Sequence, residues 1–330
     1  MKECLIGADC KKDKIIREFI RQRNASFRRR IMYSKKITVF TPTYNRAYII
    51  RNVYDSLCRQ TYKDFEWLVI DDGSEDDTEA LIDSFIVENK ISITYVKKNN
   101  GGQHTALNMA IECAKGRLLM IVDSDDYLTD NALERILYWE NTIAEKNGYA
   151  GVSGLKSFPC GDVIGDVWKH KEDFVDATNL ERTKYRLWGD KAEAYYTDVL
   201  RKYYPIPVFA GENDVEKGVL WNRIANAGYK LRWFNEKIYI CEYLDDGMSK
   251  NIIANHLKNF QGYTCWRREL IDMQKSYFGV VRVLSEFTYK ARLKGYNSRR
   301  IGELVDRNTF TVWLAKIYYK LHQLKILIQK

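Results

Sequence analysis

Long apolar runs are missing from this sequence. Nowhere do 18 consecutive residues stay hydrophobic, so no membrane-spanning helix is expected. Cysteine offers no framework either. The seven cysteines, Cys4, Cys10, Cys58, Cys113, Cys160, Cys241 and Cys265, are odd in number and none falls in a C-x-x-C. Neither a zinc knuckle nor a disulfide scaffold is indicated, and a reducing compartment fits. The stretch Met1 to Asp9 lacks the apolar core of a signal peptide. No G-x-x-x-x-G-K-[ST] and no G-x-G-x-x-G occurs, which argues against a P-loop or a dinucleotide fingerprint.

What is present is a chain of 330 residues, 45% hydrophobic, enough for an ample core and one large domain with appendages. Its net charge of +9 is unevenly spread. Residues 1–36 carry 12 Lys/Arg against 4 Asp/Glu, and residues 251–330 carry 15 against 5. The middle is acidic, with 26 against 35. Two basic ends around an acidic centre ask for an anionic partner surface.

The order of elements predicts an α/β fold. Residues 1–36 read as a basic helical extension, Ile15 to Arg30, ending in Arg28-Arg29-Arg30. From Ile37 strands and helices alternate, the pattern of a doubly wound sheet. Strands are expected at Ile37–Phe40, Glu66–Ile70, Ile93–Val96 and Leu118–Val122. Helices are expected over 47–60, through Leu81 and Phe85, over 105–114 and over 130–146, with Ser74 and Asp77 as a capping box. Each strand is followed at once by a polar cluster, and ligands of open α/β sheets bind at the carboxyl ends of the strands.

The fourth strand is the most telling. Its apolar run ends in Val122-Asp123-Ser124-Asp125-Asp126, three carboxylates within four residues. Extended alternation would point Asp123 and Asp125 the same way. Paired hard oxygens suit Mg²⁺ or Mn²⁺, although a solvated acidic turn reads the same on this stretch alone.

Four stretches together resemble the family 2 glycosyltransferases of GT-A fold. They are Phe40-Thr41-Pro42-Thr43-Tyr44-Asn45-Arg46, Val69 to Ser74 with Asp77-Thr78, Asn100-Gly101-Gly102 with Ala106 and Asn108, and Val122 to Asp126. The match continues more weakly through Trp221-Asn222-Arg223 and Ala227-Gly228-Tyr229. The resemblance implies a GT-A domain over 37–250, a mixed sheet flanked by helices, followed by a helical C-terminal region over 251–330. It also implies inverting transfer from a nucleotide sugar, with UDP-sugar the expected donor, and a divalent Mn²⁺ or Mg²⁺. Pro42, Thr43, Tyr44, Asn45 and Arg46 would line the nucleoside, with Asp71 and Asp72 beside them and Asp72 accepting from uracil. Asp123, Ser124 and Asp125 match the D-x-D motif, Asp125 and Asp123 holding the metal. Gly101 and Gly102 would let the backbone approach the diphosphate, with His104 and Asn108 near it.

One departure bears on catalysis. The family carries an acidic pair shortly before the Arg matching Arg223, and here those positions are Glu216 and Lys217. The base that deprotonates the acceptor is therefore expected at Glu216, with Asp214 and Glu212 as alternatives; an acidic surface turn before a helix is the other reading of all three. Trp188 and Trp221 are candidate platforms for an acceptor sugar or simply partly buried tryptophans.

The last helix, over 309–330, places Phe310, Trp313, Leu314, Ile317, Leu321, Leu324 and Ile328 on one face, with Lys316, Lys320 and Lys325 off it. That face suits a membrane interface, the catalytic domain or a second subunit. The expectation drawn from all this is a cytoplasmic glycosyltransferase peripheral on the inner face of the plasma membrane. Its expected partners are a nucleotide sugar, a saccharide or lipid-linked saccharide acceptor of a bacterial surface polysaccharide, and an anionic membrane surface. A homodimer through the C-terminal helices is the other use of that region. Nucleotidyl transfer is disfavoured because no Gly-rich basic loop follows the first strand. Nucleic-acid binding is disfavoured by the acidic centre.

Overall fold

The computed structural model describes residues 33–168, 172–242 and 251–328. The basic stretch Ile15 to Arg30 lies outside them, as does the position of the expected boundary at 250. Residues 35–330 form one compact unit.

The first half alternates as the sequence predicts: β1 (Lys35–Thr43), α1 (Arg51–Arg59), β2 (Phe65–Asp71), α2 (Thr78–Glu88), β3 (Ile93–Lys97), α3 (Gln103–Cys113) and β4 (Gly116–Ile121). These four strands are parallel in the order β3-β2-β1-β4. β2 is buried along its whole length, which is why its sequence is a near-continuous apolar run. Against it Tyr54 and Phe85 stack at 4.0 Å between centroids, and the Trp67 indole donates to Thr41 Oγ1 at 2.9 Å.

Next come β5 (Tyr127–Leu128), α4 (Ala132–Asn141), β6 (Tyr149–Ser157), β7 (Phe174–Ala177), β8 (Lys191–Tyr196), α5 (Thr197–Tyr203), α6 (Gly218–Asn226) and β9 (Lys230–Ile240). The sheet extends past β4 through β8, β6, β9 and β5, with β7 also paired to β9. β8 runs antiparallel to both β4 and β6, whereas β6 and β9 are parallel. The result is a nine-stranded mixed sheet.

The chain leaves β1 towards β2 and β3 on one side and returns to β4 on the other. The carboxyl ends of β1 and β4 therefore flank a topological switch point, where a crevice opens for a ligand. Thr43 is in register with Asp71 there, and Phe40 with Ile121.

Five helices complete the unit: α7 (Ile252–Lys258), α8 (Phe260–Asp272), α9 (Tyr277–Leu293), α10 (Ser298–Val305) and α11 (Thr309–Ile328). They close over their own apolar cluster, including Phe260, Tyr263, Leu284, Phe287, Ile301 and Val312. Trp266 packs against this cluster and the main core alike.

Three local expectations change. α1 starts at Arg51, after a turn over 47–50. The Ser74–Asp77 capping box does not form, because Ser74 Oγ accepts from the Asn45 N–H at 2.9 Å while Asp77 makes no side-chain cap. Residues 123–126 are a turn rather than extended chain, closed by Asp126 N–H to Asp123 O at 3.1 Å.

Candidate active site

The loop after β1 is fixed by the loop after β2. Asn45 takes a left-handed conformation, φ 53°, which asparagine tolerates. Its Oδ1 accepts from the Glu75 N–H at 2.8 Å, and the Arg46 N–H reaches Thr78 Oγ1 at 3.2 Å. This stitching leaves the Tyr44 ring half exposed at the mouth of the crevice.

Asp71 and Asp72 part company. Asp71 is fully buried and both its oxygens are engaged, Oδ1 by Ser74 N–H at 2.7 Å and Oδ2 by the Tyr95 hydroxyl at 2.6 Å. Asp71 thus anchors the loop after β2. The buried Asp72 carboxylate faces the other way, accepting from Gly101 N–H at 3.0 Å, Gly102 N–H at 2.7 Å and the Lys98 ammonium. It holds the Asn100-Gly101-Gly102 loop in place ahead of α3.

Gly102 makes a close approach within the chain. At φ 89° a Cβ here would come 1.7 Å from the Asn213 carbonyl oxygen. The residue that glycine accommodates is Asn213, in the acidic turn before α6. Asn108, one helical turn on from His104, is also engaged internally. Its amide donates to Ile206 O and accepts from Ile206 N–H, both at 2.8 Å, so it clamps the loop before α6.

His104 is buried, and neither ring nitrogen has a hydrogen-bond partner among the described residues. Burial pushes its pKa down to about 4, against the opposing pull of Asp72. It is a neutral imidazole beside a carboxylate, and an orphaned polar group of this kind is costly unless something binds it.

The turn after β4 is held on three sides. Asp123 Oδ1 accepts from Gln103 Nε2 at 3.0 Å, and its N–H donates to the Tyr239 hydroxyl at 2.9 Å. Asp126 is buried and accepts from the Glu242 N–H at 3.0 Å. Two ammonium groups flank Asp123: Lys156 Nζ lies 3.9 Å from Oδ2 and Lys217 Nζ lies 3.9 Å from Oδ1. Lys156 also sits over the Tyr239 ring at 4.0 Å. Burial opposes ionisation of Asp123, yet Lys217 and Lys156 outweigh it and hold the carboxyl below its ordinary range. Burial and the neighbouring Asp123 push Asp126 up to about 7.

Among the described residues no three His, Cys, Asp or Glu side chains are gathered into a metal cage. Mg²⁺-type sites need none when phosphate oxygens and water complete the octahedron around one or two carboxylates. Asp123, with ammonium groups on both sides, is paired with cations already. The residues present fit such an ion: Asp125, partly exposed, and Asp123 both offer carboxylate oxygens on this turn.

The three candidate bases are tied to the C-terminal helices. Glu212 is a cap: its two oxygens accept from the Gln261 and Gly262 N–H groups at 2.7 and 2.8 Å, at the start of α8. Asp214 accepts from Asn255 of α7, and burial raises its pKa. Glu216 Oε1 lies 2.7 Å from His256 Nε2, and His256 Nδ1 lies 2.8 Å from Lys290 Nζ. An ammonium only donates, so Nδ1 accepts and Nε2–H points at Glu216. Lys290 in turn pairs with Glu286 at 2.8 Å.

The tryptophans divide as well. Trp221 is partly buried, stacked on Tyr195 at 4.2 Å with 5° between planes and packed against the core. Trp188 is 50% exposed. Gln103, Lys156, Tyr239 and His256 were not singled out in the sequence. Gln103 was visible beside Gly102, but the other three lie outside every motif.

Residues 38–195 match the family described as glycosyl transferase family 2. Glycosyltransferase GlyG of Streptococcus pneumoniae is 35% identical over 159 residues, 48% of this chain and 52% of that protein. Poly(ribitol-phosphate) beta-N-acetylglucosaminyltransferase TarS of Staphylococcus aureus is 32% identical over 30% of this chain and 18% of its own length. The chain thus spans about half or less of the curated relatives it matches. Among solved structures, S. aureus TarS in complex with UDP-GlcNAc aligns with a TM-score of 0.56 at 18% identity, covering 88% of this chain and 92% of that one. Mannosyltransferase PcManGT of Pyrobaculum calidifontis, in complex with GDP-Man and Mn²⁺, aligns at 0.51 with 16% identity and 88% coverage of both. At these identities the likeness is one of fold. Residues 38–195 are thus a glycosyl transferase family 2 region, and the sheet domain that contains them has the GT-A fold.

Proposed function

We propose that this chain transfers a sugar from a UDP-sugar to a hydroxyl of a saccharide acceptor with inversion. The observation that carries the reading is the convergence, at the switch point, of the Asp72–Gly101–Gly102 cluster with the Asp123 turn. Gln103 joins the two directly. UDP and UDP-GlcNAc are the ligands in the TarS structures of like fold, which supports uridine as the base.

In this reading Tyr44 lies against the uracil, Asp72 orders the glycine loop beside it, and His104 supplies the polar contact that its burial leaves open. A divalent ion on Asp125 would act as a Lewis acid on the diphosphate. Lys217 and Lys156 place two further positive charges at Asp123, where the departing diphosphate gains charge. Lys217 stands at a position where the family has a carboxylate, so the proton of the acceptor hydroxyl goes to its neighbour Glu216. The His256 N–H bond fixes the orientation of Glu216 and leaves Oε2 to take the proton.

The same reading places the acceptor on a lipid carrier at the inner face of the plasma membrane, as a saccharide of a bacterial surface polysaccharide. The basic C-terminal region supports that setting, with 15 Lys/Arg against 5 Asp/Glu over 251–330. A screen of nucleotide sugars for metal-dependent hydrolysis by the full chain tests the donor assignment. Hydrolysis of a UDP-sugar, and loss of it in Asp125→Asn, is expected. Equal or greater turnover of guanosine- or adenosine-linked sugars overturns the uridine assignment.

A further inference from the structure

α11 is amphipathic with its larger apolar face outward. The face that packs on the protein is built from Thr311, Val312 and Ala315, all buried, whose small side chains let the helix lie close to α9. On the opposite side Phe310 is 61% exposed, Trp313 51%, Leu321 61% and Leu324 55%. At 3.6 residues per turn these four positions fall within about 80° of arc and run about 21 Å along the axis. Ile317 lies in the middle of that arc, while Leu314, at its edge, packs against the C-terminal cluster. The sequence's apolar stripe therefore exists, and among the described residues it does not pack on the catalytic domain. The Ile328 side chain lies outside those described.

The stripe has two different borders. Lys316 and Lys320 project on one side and Lys325 on the other, and none of the 20 residues of α11 is Asp or Glu. Beyond Leu314 the start of α9 adds exposed Tyr277 and Phe278. These are held against α11 by Tyr277 Oη to Thr311 Oγ1 at 3.0 Å and by the Phe278–Tyr318 ring contact at 5.6 Å. Two helices thus present aromatic and aliphatic side chains edged by lysine. Folded monomers rarely leave so continuous an apolar surface without a use for it.

We infer that this surface, Phe310, Trp313, Leu321 and Leu324 with Tyr277 and Phe278, docks the protein onto an anionic lipid bilayer. No helix among the described residues is long and apolar enough to cross a membrane, so α11 lies in the interface. Tryptophan and tyrosine favour that depth, and lysines beside them keep their ammonium groups in the headgroup layer. Charge decides between lipid and a second copy. A two-fold contact through this stripe would bring like lysines together with no carboxylate from either α11, whereas anionic headgroups supply the missing charge. The inference deepens the membrane setting proposed above and stands on residues remote from the transfer chemistry.

Sedimentation of the full chain with vesicles tests it, comparing phosphatidylcholine alone with phosphatidylcholine mixed with phosphatidylglycerol. Binding to the mixed vesicles at low salt is expected, with release as salt shortens the Debye length. The double variant Trp313→Glu/Leu321→Glu changes only exposed positions and should bind about tenfold or more weakly. Lys316→Gln/Lys320→Gln/Lys325→Gln should weaken binding to the mixed vesicles most. UDP binding, measured on the same samples, should be unchanged in both variants, and its absence in wild type would count against the donor site and not against docking. Wild type that stays in the supernatant with every vesicle overturns the inference. So does undiminished binding by the glutamate variant, or a glutamate variant that splits a dimer and leaves vesicle binding intact.

Discussion

The Lys217 ammonium stands 3.9 Å from Oδ1 of Asp123, at the entrance to α6 and facing the turn after β4. Lys156 approaches the same carboxylate from β6 at the same distance. The turn that carries Asp123 is therefore flanked by two positive charges of the chain's own.

That arrangement predicts a phenotype for Lys217. Lys217→Met removes one charge-assisted contact to the diphosphate, worth roughly 1.5–3 kcal/mol. It should lower kcat by about 10- to 100-fold, with no loss of folding. Lys217→Glu, which restores the acidic residue usual in the family, should be worse, because two carboxylates then face Asp123 and the diphosphate together. Steady-state transfer assays with the preferred donor check this. Wild-type kcat in Lys217→Met would remove the lysine from the mechanism.

A second expectation concerns the proton. Glu216→Gln should cut transfer by roughly 10²–10⁴-fold, the usual contribution of a general base, while donor binding stays near wild type. His256→Leu keeps Glu216 but removes its orienting N–H, and a loss on the order of tenfold is expected. Lys290→Met leaves the buried His256 Nδ1 without its donor, while half-exposed Glu286 keeps Arg267 at 3.2 Å, and should lower the unfolding free energy by about 1–3 kcal/mol. Transfer rate and thermal midpoint measured side by side separate these effects. If Asp214→Asn is dead while Glu216→Gln is active, the base is Asp214.

His104 gives a pH signature. Its pKa in the folded state is about 4 because burial disfavours the imidazolium, whereas an unfolded histidine titrates near its ordinary value. Between about pH 6.5 and about pH 4 the unfolded chain binds the extra proton, so stability falls as pH falls through that window. His104→Gln should flatten this part of the stability–pH curve, read from denaturant midpoints across the range. An unchanged slope would mean that His104 is not the group responsible.

The strands and the polar clusters behind them were legible because buried parallel strands read as apolar runs that stop abruptly. The fates of single residues within those clusters were not. Asp71 and Asp72 look alike in sequence, but Tyr95 comes from β3, whose pairing with β2 only the fold specifies. Gly102 announces a close approach without naming Asn213, more than 100 residues away. Lys156 meets Asp123 because β6 pairs with β9 through irregular register shifts, which no periodicity reveals. In α11 the apolar stripe was visible, but helical period says that a stripe exists and not which way it faces.

Nucleotide binding tests the donor site most directly. UDP titrated calorimetrically into the full chain with Mn²⁺ present should give saturable binding. Asp125→Asn should lose the metal-dependent part, and Asp72→Ala, which frees the glycine loop, should bind UDP more weakly by roughly 1.5–3 kcal/mol. Wild-type protein that binds no UDP, or variants at Asp72 and Asp125 that bind it as well as wild type does, would contradict the assignment of the switch-point crevice as a nucleotide-sugar site.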